Sequence, residues 1–150
     1  MKIPELLLSI LGTIFLGSLP AFFAMNNVGS WYAELNKPFF SPPNWLFGPA
    51  WTLLFTLMGI AYYRIWVKHG FKATLPYYPQ LALNMAWTFI FFGMENPGFA
   101  LVEILVLIVA ILYLIVSFWQ RDRLAGILLL PYITWVSFAT LLNAAIYLLN

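Results

Sequence analysis

The chain has 150 residues, 63% of them hydrophobic and only 8% charged, with seven basic residues against five acidic and a net charge of +2. A soluble domain carries about a quarter charged residues, so composition alone excludes an ordinary water-soluble globule. No basic run or stripe suits nucleic acid, and without cysteine neither disulfide nor thiol chemistry is available.

Charge-free runs cover 6–33, 38–63, 73–94, 104–120 and 124–150. Each approaches or exceeds the roughly 20 apolar residues that cross a hydrocarbon core. They predict an all-α membrane protein: one transmembrane domain over 1–150, built as a five-helix bundle. The expected spans are about 4–25, 44–66, 77–93, 99–119 and 125–149. The first follows Lys2 as a signal peptide would, but its length and the later spans predict that it is retained. Pro4 suits its first turn, and Pro20 is expected to kink it.

Residues 26–43 are the longest predicted loop, with one helical turn expected in "WYAEL" (31–35). The stretch "KPFFSPPNWLFGPAW" (37–51) holds four prolines among its aromatic residues. Fixed φ angles at Pro38, Pro42 and Pro43 predict a stiff lid rather than a slack linker. Asn44 is a candidate N-cap for the second helix. "ENPG" (95–98) and "RDR" (121–123) read as tight turns between the last three spans.

With five crossings, Lys2, Arg64, Lys68, Lys72, Arg121 and Arg123 fall on one side and only Lys37 on the other. The positive-inside rule then predicts a multi-pass protein of the cell membrane with a cytoplasmic N-terminus. The C-terminus and loop 26–43 are expected to be extracytoplasmic. Trp31, Trp45, Trp66 and Trp119 lie near span ends, where indoles anchor at lipid headgroups.

Trp51, Trp87 and Trp135 lie inside spans and need another account. At 100° per residue, Trp51, Phe55, Met58 and Tyr62 share one face of the second helix. Pro131, Trp135, Ala139 and Leu142 share one face of the fifth. In the third, Asn84, Trp87, Thr88 and Phe91 oppose the small residues Ala82, Ala86 and Gly93. An amide facing lipid is costly, so Asn84 is expected to point inward; Asn143 makes the same demand. Indoles from two or three helices converging on one amide predict a cleft for a flat, largely apolar ligand. The small face predicts close helix contact, within the chain or in a homodimer through Ala82, Ala86 and Gly93.

Conventional catalytic sets are not visible. His69 is expected as a solvated loop residue, no residues are spaced to ligate a metal, and Glu103 is the one acid inside a span.

The segments "WYAELNKPFFSPPNWLFGPAW" (31–51), "LALNMAWTFIFFG" (81–93) and "LLLPYITWVSFATLLN" (128–143) resemble the signature segments of the translocator protein family. That family is also called tryptophan-rich sensory proteins or the peripheral benzodiazepine receptors. The resemblance covers nearly the whole chain. It implies a five-helix membrane protein, often homodimeric, that binds tetrapyrroles such as protoporphyrin IX and benzodiazepine-type ligands. It also implies a pocket of Trp51, Phe55, Asn84, Trp87, Trp135, Ala139 and Leu142, with Tyr32 and Pro42 in the lid. The porphyrin would serve as ligand or as photosensitiser, and no covalent cofactor is implied. In the photosensitiser case Trp51 and Trp135 are the redox candidates in a light-dependent oxidative breakdown. A carrier of porphyrins or other small lipophilic molecules is the alternative. The basic residue of the animal members' sterol-recognition pattern does not follow Tyr147, so the chain is expected to stand nearer the bacterial members.

Overall fold

The computed structural model describes residues 2–150, and all the regular structure among them is helical. In chain order the elements are α1 (Ile3–Phe23), α2 (Met25–Asn27) with a π-helical turn at Val28–Tyr32, and α3 (Asn44–His69). A 3₁₀ turn at Phe71–Thr74 leads to α4 (Tyr77–Thr88), which continues into a second π-helical turn at Phe89–Gly93. Then come α5 (Pro97–Arg121), α6 (Arg123–Leu128) and α7 (Leu130–Leu149).

Four stretches are long and apolar enough to cross a membrane: Ile3–Phe23, Asn44–His69, Pro97–Arg121 and Arg123–Leu149. The segment 77–93, expected as a fifth span, is 12 α-helical residues extended by a five-residue π turn. The outward faces carry large apolar side chains. On α5, Val102, Leu105, Val109, Leu112 and Val116 are exposed while Ile104, Leu107, Ile111, Leu114 and Phe118 are buried. Such a band, bare in water, is the surface that lipid tails cover.

Several expectations about the connections are corrected. The first half of the presumed loop is helical to Glu34, so only 35–43 lacks helix. No proline falls between Pro20 and Pro38, and polar groups fasten this stretch. Ser30 donates to the Asn26 carbonyl at 2.8 Å, and Asn27 Nδ2 to the Phe92 carbonyl at 2.6 Å. Asn44 does not cap α3: Pro43 occupies the N-cap position and no side chain bonds there. His69 is the last residue of α3 rather than a loop residue, and its Nε2 lies 3.1 Å from the Arg121 carbonyl. The last span is broken at Leu129, two residues before Pro131, which has no N–H to bond the Ile127 carbonyl and whose ring crowds it.

Helix α1 packs mainly on α3, while α5 packs on α7 and α4. The α1–α3 contact depends on Gly59, because a Cβ there would lie 2.6 Å from the Ile10 Cα. Ser9 Oγ donates to the Gly59 carbonyl at 2.7 Å across the same contact. The core joins α3, α5 and α7 through Met58, Ile65, Ile104, Ile111, Phe118 and Val136, among others. Ala82 and Gly93 are exposed and Ala86 half-buried, but Phe89 lies on the same side and covers Gly93.

Candidate functional site

Between α1, α3, α4 and α7 lies a cavity of about 260 Å³. Of the residues expected at a binding site, Tyr32, Trp51, Phe55, Asn84, Trp87, Trp135, Ala139 and Leu142 all line it. Pro42 does not. It stands half-buried in the connection to α3, outside the wall. Pro131, placed on the Trp135 face from spacing, is exposed. Tyr62, one turn beyond Met58, leaves the cavity and joins a tyrosine cluster with Tyr77 and Tyr78.

The indoles are held by other rings. Trp51 lies 5.4 Å from Phe55 at 31°, and meets Tyr132 and Trp135 edge to face at 6.3 and 6.4 Å. Trp135 is braced by Phe47 at 6.2 Å and Phe138 at 5.7 Å. Trp87 stacks on Phe91 at 5.0 Å and 24°. Each such pair adds about 0.5–1.5 kcal/mol beyond area burial, so the aromatic walls are preorganised rather than loose.

The polar groups on the wall are few, and two asparagines among them are tied into networks. Asn84 Nδ2 donates to the Tyr132 hydroxyl at 2.9 Å, and that hydroxyl donates to Gln80 Oε1 at 2.8 Å. Gln80 Nε2 in turn donates to the Tyr77 carbonyl at 2.7 Å. Asn84 Oδ1 has no partner among the described residues and remains an acceptor on the cavity wall. Asn143 is spent on structure. Its Oδ1 accepts from Trp87 Nε1 at 3.0 Å, and its Nδ2 donates to the Pro97 carbonyl at 2.8 Å. It thereby fixes the Trp87 ring and ties α7 to the first turn of α5.

Tyr32 closes the end of the cavity nearest the 35–43 connection. It is 2% exposed, packs on Phe92 at 5.4 Å, and has Lys37 Nζ 4.7 Å from its ring centre. Its hydroxyl and that of Ser41 are buried without hydrogen-bond partners among the described residues. The covering segment is pinned near its start, where Asn150 Nδ2 donates to the Asn36 carbonyl at 2.9 Å. Glu103 lies outside the cavity, with both carboxylate oxygens buried and unpartnered.

Sequence spacing did not reveal the contribution of α1. Gly17, Ser18 and Ala21 line the cavity, and the Phe55 ring rests on Gly17 where any Cβ would collide with it. Small residues carry no periodic signal, so only the contact exposes their part. Phe91 and Phe92 both line the cavity although adjacent in sequence. They lie within the π turn, whose extra residue shifts the helical register. No cluster of three or more metal-ligating side chains occurs among the described residues.

Residues 9–149 match the sequence model of the TspO/MBR family. A tryptophan-rich protein TspO of Archaeoglobus fulgidus is 47% identical over 156 aligned positions, covering 100% of this chain and 99% of the archaeal one. The human translocator protein is 42% identical across 78% of this chain and 73% of its own. A tryptophan-rich sensory protein of Cereibacter sphaeroides is 40% identical across 80% of this chain and 77% of its own.

Proposed function

Because the chain belongs to the TspO/MBR family of multi-pass membrane proteins, we propose that it binds flat, largely apolar molecules within the membrane and acts as their sensor. Tetrapyrroles such as protoporphyrin IX are the first ligand class and benzodiazepine-type compounds the second. One observation carries this reading: three span-interior indoles, Trp51, Trp87 and Trp135, wall a single cavity, with the Asn84 amide oxygen and the Tyr32 hydroxyl among its polar groups that lack partners among the described residues. Ring faces supply stacking and a few polar groups supply orientation, as in small-molecule sites generally.

The cavity of about 260 Å³ falls below the roughly 300–1,000 Å³ of ordinary ligand sites. A tetrapyrrole therefore enters only when the segment over Tyr32 moves outward, which gives the proline-stiffened connection its role as a lid. Light-dependent breakdown of a bound porphyrin fits the same site. Excited porphyrin and dioxygen would supply the oxidant, with Trp51 and Trp135 as oxidisable rings on the wall. The carrier alternative needs a path to the far end, and buried Met58, Gln80 and Tyr132 fill the space beyond the cavity.

We also read the chain as crossing the membrane five times, with 77–93 as the third crossing and the N-terminus in the cytoplasm. Seventeen residues at about 1.5 Å each reach roughly 25 Å, short of a full hydrocarbon core by only a few ångströms.

The binding test uses quenching of tryptophan fluorescence by protoporphyrin IX in detergent-solubilised protein. Trp51→Ala or Trp135→Ala is expected to weaken affinity roughly two- to tenfold, the loss of one stacking partner, before packing losses. Trp66→Ala, outside the cavity, is expected to leave it unchanged. Equal weakening by all three in folded protein would sink the site. Porphyrin absorbance followed under illumination in the same variants reports the oxidative step separately.

A further inference from the structure

At the end of the bundle where α3 and α5 terminate lies a second, open hollow of about 540 Å³. It runs between the 72–79 connection and the last turns of α5, and Pro76, Pro79, Tyr113 and Val116 form its apolar wall. Lys72 and Arg121 stand in it as well, and no acid does. None of these residues lines the tryptophan cavity.

The charges at this end are unevenly spoken for. Asp122 is shared by Arg64 at 2.7 Å and Lys68 at 3.3 Å, and Glu5 lies 3.7 Å from Lys2. Arg123 covers the Trp119 ring at 5.4 Å. Among the described residues, Lys72 and Arg121 have no carboxylate within ion-pair distance. Arg121 is nevertheless held in place, because its Nη1 donates to the Ser117 carbonyl at 3.1 Å and to Ser117 Oγ at 2.8 Å. The carbonyl end of α5 would repel an anion, and the guanidinium lying on it offsets that field.

The apolar wall points to what the anion is attached to. Tyr113 and Val116 are 66% and 55% exposed and continue the band of α5 that faces lipid tails. A molecule that places an anion between Lys72 and Arg121 and lays a hydrocarbon chain along Tyr113 and Val116 would satisfy the whole hollow. We propose that this hollow is a headgroup site for an anionic phospholipid, with its phosphate between Lys72 and Arg121 and its acyl chains along α5. Basic pockets between helices at the cytoplasmic face take lipid phosphates in this way. A free anion would leave the apolar half unused.

Native mass spectrometry of the protein in mixed micelles of equimolar phosphatidylglycerol and phosphatidylcholine tests this. Wild type is expected to retain phosphatidylglycerol preferentially. Lys72→Gln with Arg121→Gln should lower that preference about twenty-five-fold, at about fivefold per charge. Since Arg121 also fastens Ser117, Lys72→Gln alone is the cleaner variant and should give the fivefold loss. Lys2→Gln with Arg123→Gln removes the same charge from the same end outside the hollow and should leave the preference intact. An equal loss in that control would assign the effect to diffuse surface charge and overturn the site. Equal retention of the two lipids by wild type would overturn it too. Millimolar inorganic phosphate should not displace the lipid; displacement would make the hollow a free-anion site and refute the lipid assignment.

Discussion

Asp122 shows how much one carboxylate can organise in a chain with so few charges. Its side chain is 7% exposed, accepts from Arg64 Nε at 2.7 Å and Nη2 at 3.2 Å, and caps α6 through the Leu124 amide at 3.2 Å. The Arg64 hydrogen bonds, with help from Lys68 and against its own burial, hold its carboxyl below the ordinary carboxylate range. A lowered pKa means that this stability is fully present above the unfolded-state value and is lost as pH falls through the folded one. Asp122→Asn keeps a competent cap, since Asn caps about as well as Asp, but removes the charge. It is therefore expected to cost about 1.5–3 kcal/mol, the worth of hydrogen bonds to a charged group. Thermal unfolding of the detergent-solubilised protein should show that deficit at neutral pH and a smaller one in acid. A deficit independent of pH would mean that the carboxylate acts only through its shape. The "RDR" turn that holds Asp122 was legible in sequence, but the pairing with Arg64 was not, because 58 residues separate the partners.

The elements were legible where periodicity speaks and illegible where contact decides. Residues three and four apart on α3, α4 and α7 indicated most of the inward faces, Pro131 and Tyr62 excepted, because a buried stripe needs that spacing whatever its neighbours are. The π turns at 28–32 and 89–93 leave no such mark, and they place Tyr32, Phe91 and Phe92 around the cavity. Nor does a lone glycine announce its partner. Gly59 lies on the side of α3 that meets α1, and a methyl group there would lie 2.6 Å from the Ile10 Cα and 3.0 Å from the Ile10 nitrogen. Backbone cannot step aside as a side-chain tip can, so Gly59→Ala must push the two helices apart. The expected outcome is a loss of several kcal/mol, comparable to severe overpacking, together with loosening of the Ser9–Gly59 bond. Gly29→Ala, where nothing lies within 4 Å of the added carbon, is expected to be nearly neutral. Thermal midpoints of the two variants that coincide would show that α1 and α3 are free to separate.

At the scale of the whole molecule, hydrogen bonds place the two termini at opposite ends of the bundle. The Lys2 amide donates to the Tyr63 hydroxyl at 2.8 Å, beside the end of α3 that carries Arg64, Lys68 and His69. Asn150 instead bonds Asn36, at the end where Asn27 reaches the Phe92 carbonyl. We propose on this ground that the chain crosses an odd number of times, since four crossings would return the C-terminus to the side of Lys2. Composition supports the same orientation. Six basic residues fall at the Lys2 end and only Lys37 at the other, the asymmetry from which we propose that the basic end is cytoplasmic. Because the chain has no cysteine, each introduced thiol is the sole target of a membrane-impermeant maleimide. Glu34→Cys and a cysteine appended after Asn150 are expected to label from outside intact cells. Phe71→Cys, which is exposed and leaves every basic residue in place, should label only after permeabilisation. Labelling of the appended cysteine and Phe71→Cys together, with Glu34→Cys on the opposite side, would reduce the count to four and make 77–93 a segment that does not cross. Reversal of all three would instead keep five crossings and refute the charge argument, leaving the tryptophan cavity open toward the cytoplasm.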